Sequence, residues 1–199
     1  AAVPAAPGDH VLELGCGSGA AFLCLAARVP GIIVTAVERE PDLAALARDV
    51  AREWTPRAVA AGVDLGFEGE DHRPVEGDAL QLREAMANLI DNALRYTPPG
   101  GTVTARVLRD GNEVVVEVED TGRGIAEAER SRVFDRFYRV LGTEVEGSGL
   151  GLAIVREIAE QHEAKVGIDT PARTGDPALP GALLRVRFNR TPYGPPPPL

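Results

Sequence analysis

NLIDNALRYTP, residues 88–98, places two asparagines and a tyrosine at four-residue spacing. With Glu84 one turn earlier, the side chains of Asn88, Asn92 and Tyr96 line one face of a predicted helix. Asparagine is a poor residue in the middle of a helix, so two on one stripe suggest that their amides are used. A merely solvated polar face remains an equally open interpretation of the spacing.

Periodicity and turn residues predict the elements around this stretch. The helix begins after Asp78, an N-cap residue, and ends near Tyr96. Upstream, a helix begins at Pro41, Pro56 should end or interrupt it, and a short strand covers residues 62–70. Downstream, the predicted elements are a hairpin with strands 102–109 and 113–120, helices 127–134 and 150–162, and strands 165–169 and 182–188.

DTGRGI, residues 120–125, follows a strand in which Val114, Val116, Val118 and Asp120 share one face. Asp120 is therefore predicted to point toward the core. A buried carboxylate is costly unless it accepts specific hydrogen bonds, and the glycines that follow make room for a flat ligand. The alternative is an aspartate that only ends a strand.

GSGLGLAIV, residues 147–155, places three alternate glycines before an amphipathic helix. The free backbone N–H groups at the start of such a helix can cradle phosphates at its positive end. Alone, this signal is weak.

VLELGCGSGA, residues 11–20, is an apolar strand that runs into a glycine loop. A helix over 20–29 and a strand over 32–37 follow, and Glu38 ends that strand about twenty residues past the loop, where a carboxylate can hold ribose hydroxyls. Together with Glu13, Gly15 and Gly17, this pattern resembles the first motif of an S-adenosylmethionine methyltransferase more than an NAD fingerprint. A structural turn is the alternative.

Composition excludes several classes of protein. A net charge of −9 over 199 residues disfavours a nucleic-acid or anionic-membrane surface. Two cysteines are too few for a disulfide framework, so a cytoplasmic setting is the default, and no stretch is predicted to span a membrane. The proline-rich end, residues 191–199, is predicted to be a disordered tail.

Taken in order, NLIDNALRYTP, DTGRGI, FDRFYR and GSGLGLAIV resemble the N, G1, F and G2 boxes of the sensor histidine kinase ATP-binding domain, of the GHKL type. The resemblance runs over 42–190 and implies an α/β fold, a Bergerat-type sandwich of a mixed sheet with helices on one face. The predicted organisation is a partial Rossmann-like βαβ fragment (1–41), a remnant of the dimerisation helix with an entry strand (42–76), the ATP-binding domain (77–190) and the tail (191–199).

The resemblance also implies the site. Asn88 would hold Mg²⁺, Glu84 would form the acidic edge of the metal site, and Asp120 would accept the adenine amino hydrogen. Phe134 and Phe137 would pack beneath the lid. The full set of implied ATP-binding residues is Asn88, Asn92, Arg95, Tyr96, Asp120, Gly122, Gly124, Ile125, Phe137, Gly147, Ser148, Gly149, Leu150, Gly151 and Leu152.

The expected function is an ATP·Mg²⁺-binding catalytic module that donates a phosphoryl group to a histidine of another domain, with a response regulator completing the system. None of His10, His72 and His162 resembles a phosphoacceptor, because none lies beside an acidic residue on an exposed helix outside the module. The alternatives are an S-adenosylmethionine-binding or methyltransferase-like protein and a non-catalytic nucleotide-dependent interaction module.

A complete methyltransferase would need roughly the whole chain, and no Asp/Asn-Pro-Pro-aromatic motif occurs. The chain is therefore interpreted as a chimera with a crossover near residues 38–42. Its N-terminal piece should dock on the kinase-type module, self-associate as a homodimer or stay loose. Glu163 departs from the family pattern, which has a glycine after the last helix.

Overall fold

A computed structural model describes residues 10–14, 33–37, 41–69, 73–140, 148–171 and 179–189. Near the N-terminus, strands β1 (His10–Leu14) and β2 (Ile33–Val37) pair in parallel and form a sheet of their own. The two predicted strands and their parallel direction are confirmed. The glycine loop, the helix over 20–29 and Glu38 lie outside the described residues.

A second, mixed sheet has five strands in the order β3-β4-β5-β7-β6. The β3–β4 pair is parallel and the other three pairs are antiparallel. This arrangement confirms the predicted mixed sheet. The strands are β3 (Asp64–Gly69), β4 (Thr102–Asp110), β5 (Glu113–Asp120), β6 (Lys165–Asp169) and β7 (Ala182–Asn189).

Three helices cover the inner face of this sheet: α1 (Leu43–Ala61), α2 (Ala79–Tyr96) and α3 (Gly151–Gln161). Helix α2 packs between the other two and contacts β4 and β5. Asp78 caps α2, and its Oδ1 accepts hydrogen bonds from the N–H groups of Leu80 and Gln81 at 2.8 and 3.2 Å. Among the helices in the described part of the chain, none has the length and apolar character needed to cross a membrane.

Alternation along β5 separates a core face from a charged face. Val114, Val116, Val118 and Asp120 are all at most 3% exposed, as the sequence predicts. The other face carries ion pairs that run across three strands, such as Glu68–Arg106–Glu119 and Glu117–Arg185–Asp169. Apart from Glu117, which is buried, these side chains are partly exposed, and ion pairs near solvent add little stability. The pairs join oppositely charged residues on neighbouring strands and so favour the observed register.

Helix α1 corrects the prediction made for Pro56. It passes through Pro56 without ending, because residues on both sides of the proline, from Leu43 to Ala58, are buried against the rest of the core. That packing offsets the cost of an interior proline, about 3 kcal/mol. One hydrophobic core extends from Leu43 to Phe188, so α1 packs together with the elements that follow it. The division of the chain at residue 77 stays a prediction.

The helix predicted over 127–134 is wrong. The structure has a 3-10 helix, Glu127–Glu129, followed by turns. Most side chains in this segment are charged or exposed, and among residues 127–134 only Phe134 is buried. A segment without an apolar stripe gains too little from packing to hold a regular helix.

Helix α3 ends in a left-handed turn at Glu163, where φ is +51°. The N–H of Ala164 donates to the carbonyl of Ala159 at 2.8 Å, which is the bond of a Schellman cap. A residue with a Cβ is strained in this conformation. Glu163→Gly is therefore expected to raise the free energy of unfolding by about 1 kcal/mol, as measured by urea denaturation.

Glu160→Gly is the matched control, because Glu160 is exposed within regular helix of α3. That change should lower stability by about 1 kcal/mol. A loss of stability in Glu163→Gly similar to that in Glu160→Gly would contradict the proposed strain.

Candidate functional site

A cavity lies where the C-terminal half of α2, the end of β5 and the start of α3 meet. It brings together most of the residues that the motifs predicted, from segments that are distant in the chain. The lining consists of Asn88, Asp91, Asn92, Arg95, Tyr96, Asp120, Arg123, Gly124, Ile125, Val133, Tyr138, Arg139, Val140, Ser148, Gly149, Gly151, Leu152 and Ala182.

Among the described residues that were predicted for the ATP and metal site, Glu84, Gly122, Leu150 and Phe137 lie outside this lining. Glu84 is exposed one turn before Asn88, Gly122 is buried beside Asp120, and Leu150 is the N-cap residue of α3. Phe137 is the fourth, and its packing beneath a lid stays a prediction. Gly147, Gly15, Gly17 and Glu38 lie outside the described residues, and Glu13 is part of β1.

Phe137 is 72% exposed. Its backbone is left-handed, with φ of +63°, and its N–H donates to the carbonyl of Gly149 at 2.9 Å. A Cβ on Gly149 would lie 2.9 Å from the Cα of Phe137, so the two backbones approach closely. This turn directs the Phe137 side chain to solvent, whereas Phe134 is 6% exposed and joins the core.

Asp120 is the buried carboxylate of the cavity, with an exposed fraction of 3%. Its Oδ1 accepts hydrogen bonds from the N–H groups of Gly122 at 2.9 Å and Ala182 at 3.3 Å. Within the described residues no hydrogen bond reaches Oδ2, which leaves that atom as an acceptor for a ligand. Burial raises the pKa of Asp120 from 3.8 to about 6, and the two N–H bonds oppose the shift.

Two glycines hold this carboxylate in place through backbone contacts. A Cβ on Gly122 would lie 2.2 Å from the carbonyl oxygen of Tyr96, and a Cβ on Gly181 would lie 2.2 Å from that of Asp120. The N–H of Gly181 also donates to the carbonyl of Gly122 at 2.8 Å. Sequence reasoning missed Gly181 and Ala182; the only local signal is the Pro-Gly step at 180–181, directly before β7.

Asn88 presents an oxygen to the cavity. Its Nδ2 donates to the carbonyl oxygen of Glu84 at 2.9 Å, so Oδ1 is the atom near the start of α3, 3.1 Å from where a Cβ on Gly151 would lie. An amide oxygen is a ligand that Mg²⁺ accepts alongside phosphate oxygens and waters. Within the described residues, no three His, Cys, Asp or Glu side chains cluster as a metal site.

The rest of the lining favours an anion. Arg95, Arg123 and Arg139 line the cavity of a chain whose net charge is −9. Gly149 and Gly151 lie where α3 begins, and the N–H groups at a helix start carry partial positive charge. The site therefore combines a carboxylate acceptor with cations and backbone donors. A nucleotide carries the matching groups, an amino donor on the base and a chain of phosphates.

Three helices cover one face of the mixed sheet, and the cavity lies at the edge of this helical layer. This combination defines an α/β ATPase domain of the histidine kinase type. Residues 77–191 match the family described as histidine kinase-, DNA gyrase B- and HSP90-like ATPase. The chain belongs to this family, which confirms the resemblance of the four motifs. The match gives no support to the methyltransferase-like interpretation of residues 1–41.

Two curated relatives are sensor proteins. The chain is 42% identical over 135 residues to the sensor protein IrlS of Burkholderia pseudomallei, covering 66% of this chain and 29% of that protein. It is 40% identical over 147 residues to the sensor protein kinase PmrB of Pseudomonas aeruginosa, and the match covers 73% of this chain and 31% of that protein. The chain therefore spans less than a third of the length of these relatives.

Solved structures match as whole domains. A mycobacterial sensor histidine kinase, MprB, superposes with a TM-score of 0.66 at 29% identity and covers 77% of this chain and 98% of its own. The catalytic domain of the histidine kinase ThkA superposes with a TM-score of 0.66 at 26% identity. The match covers 77% of this chain and 95% of the ThkA domain. The chain is thus an ATP-binding module of the two-component sensor type.

Proposed function

We propose that this module binds ATP together with Mg²⁺ and donates the γ-phosphoryl group to a histidine carried by another domain. The supporting observation is the buried Asp120 carboxylate, which shares a cavity with three arginines and the start of α3. Phosphoryl transfer needs little covalent chemistry from the protein, so positioning and charge stabilisation are the main tasks. A response regulator would receive the phosphoryl group next.

Each residue has one task in this proposal. Asp120 accepts the adenine amino hydrogen through Oδ2, and Gly124 and Ile125 border the base. Asn92, Arg95 and Tyr96 bind ribose and phosphates. Asn88 Oδ1 would hold Mg²⁺, with Glu84 at the acidic edge, and the ion would neutralise phosphate charge. The backbone from Ser148 to Gly151, with Leu152 behind it, holds the phosphates at the start of α3.

Calorimetric titration tests the proposal. ATP with Mg²⁺ is expected to bind with a dissociation constant from about 1 μM to about 1 mM. S-adenosylmethionine is expected to bind weakly or not at all, because two parallel strands, β1 and β2, offer few walls for its methionine end. Saturable micromolar binding of S-adenosylmethionine with no ATP binding would favour the methyltransferase-like alternative.

The isolated chain is expected not to phosphorylate itself on histidine. His162 is engaged at both ring nitrogens: Nε2 accepts a hydrogen bond from the Asp78 N–H at 3.0 Å, and Nδ1 lies 2.7 Å from the carbonyl oxygen of Ile158. Neither nitrogen is free to attack a phosphate. His10 belongs to β1, and His72 lies outside the described residues.

Incubation with γ-labelled ATP and Mg²⁺ measures this. Acid-labile label retained on the purified chain would refute the prediction. Label that appears on a separately added phosphoacceptor domain would support the proposed donor role. ATP binding without transfer to any such domain would favour the non-catalytic interaction module.

A further inference from the structure

Asp91, in the wall of the cavity, is shared by two arginines from different helices. Its Oδ2 is 2.7 Å from Nε of Arg95, one turn further along α2, and its Oδ1 is 3.0 Å from a guanidinium nitrogen of Arg57 on α1. Arg95 and Asp91 both line the cavity, whereas Arg57 does not. Arg57 thus reaches the rim of the nucleotide site from outside it.

The contact with Arg57 is electrostatic rather than a directed hydrogen bond. Oδ1 of Asp91 is buried and has no hydrogen-bond partner within the described residues, although the Arg57 charge lies 3.0 Å away. The guanidinium also stacks over the ring of Trp54, 4.9 Å from its centre, which holds it near the carboxylate. Arg57 therefore compensates the charge of Asp91 without saturating its oxygens.

This compensation matters because a carboxylate in the wall opposes a phosphate chain. Without Arg57, Asp91 would be paired with Arg95 alone among the residues that the structure describes. More of its negative charge would then oppose the bound phosphates, and it would hold Arg95 more tightly. With Arg57 present, Asp91 can orient Arg95 while its own charge is offset. The side chain of Asp91 is 23% exposed, so screening by solvent is incomplete.

We propose that Asp91 and Arg57 are positioning residues that set the affinity of the cavity for the phosphates of a nucleotide: Asp91 orients Arg95, and Arg57 neutralises Asp91 from α1. The inference rests on the proposed function, since it concerns the same ligand. Beyond that function, Arg57 on α1 would set the affinity of the cavity for phosphates although it does not line the cavity.

The test compares Arg57→Met with Arg52→Met. Arg52 also lies on α1, in an exposed pair with Asp49, so its replacement changes the net charge equally without touching the site. ATP and adenosine are titrated into each variant. Arg57→Met is expected to bind ATP about threefold to tenfold more weakly and adenosine as the wild type does. Arg52→Met should match the wild type for both ligands.

A second variant separates charge from packing. Adding Asp91→Asn to Arg57→Met removes the negative charge that Arg57 no longer offsets and should restore most of the lost ATP affinity. The defect of Arg57→Met should also shrink between about 50 mM and about 500 mM salt, because the interaction is electrostatic.

Equal losses for ATP and adenosine, or no recovery in the double variant, would overturn the inference. If the wild type binds ATP and Arg57→Met matches Arg52→Met, the inference alone fails. If the wild type binds no nucleotide, both the inference and the proposed function fail.

Discussion

Asp120→Asn is expected to lower the affinity for ATP by about a hundredfold or more. Two backbone N–H groups, from Gly122 and Ala182, require an oxygen at the Oδ1 position. An asparagine must place its carbonyl oxygen there, so its NH₂ group takes the place of Oδ2. The adenine amino donor then meets another donor, and an unpaired polar group in a closed site costs about 1–3 kcal/mol on each side.

Titration of ATP into both proteins measures the effect. Asp49→Asn is the control, because Asp49 is an exposed carboxylate on α1. An Asp120→Asn variant that binds ATP as tightly as the wild type would contradict the proposed base contact.

The same variant should have the opposite effect on stability. The pKa of Asp120 is raised from 3.8 to about 6 on folding, so its protonated form favours the folded state below about pH 4, and this contribution is lost as the pH rises through 6. At neutral pH the wild type carries the cost of a buried charge. Without nucleotide, Asp120→Asn should be more stable there by about 1–3 kcal/mol, with the difference vanishing near pH 4. Urea unfolding at both pH values measures it.

Gly181→Ala is expected to cost about 2–4 kcal/mol of folding stability. Gly181 has φ of +70°, and an added Cβ would lie 2.2 Å from the Asp120 carbonyl oxygen, which is backbone and cannot move aside cheaply. The cost of the left-handed conformation adds to that of the overlap. The variant molecules that fold should bind ATP more weakly, because the displaced backbone carries the Asp120 carboxylate.

Gly111→Ala measures the cost of the left-handed conformation without the cost of the steric overlap. Gly111 has φ of +59°, and a Cβ there would meet nothing within 4 Å. Gly111→Ala should lower the free energy of unfolding by about 1 kcal/mol and leave ATP binding unchanged. If thermal unfolding shows the same loss for both variants, the close contact at Gly181 does not carry the effect.

The local sequence pattern determined which side chains share a face of a helix or strand. The four-residue spacing of Asn88, Asn92 and Tyr96 placed them on one side of α2, and alternation in β5 placed Asp120 on the core face. Both inferences need only the period of a single element, which the chain carries within about ten residues. At Glu163 the signal was the family pattern, which has a glycine where the structure has a left-handed turn.

Tertiary structure decided what depends on long-range contacts. Pro56 stays helical because distant residues bury α1 on both sides of it, and Phe137 turns outward because Gly149 approaches its backbone. Gly181 and Ala182 join the site only through the pairing of β5 with β7, 62 residues apart at Asp120. Arg57 reaches Asp91 only because α1 packs beside α2. No local period encodes such contacts, since each requires two segments to be packed together first.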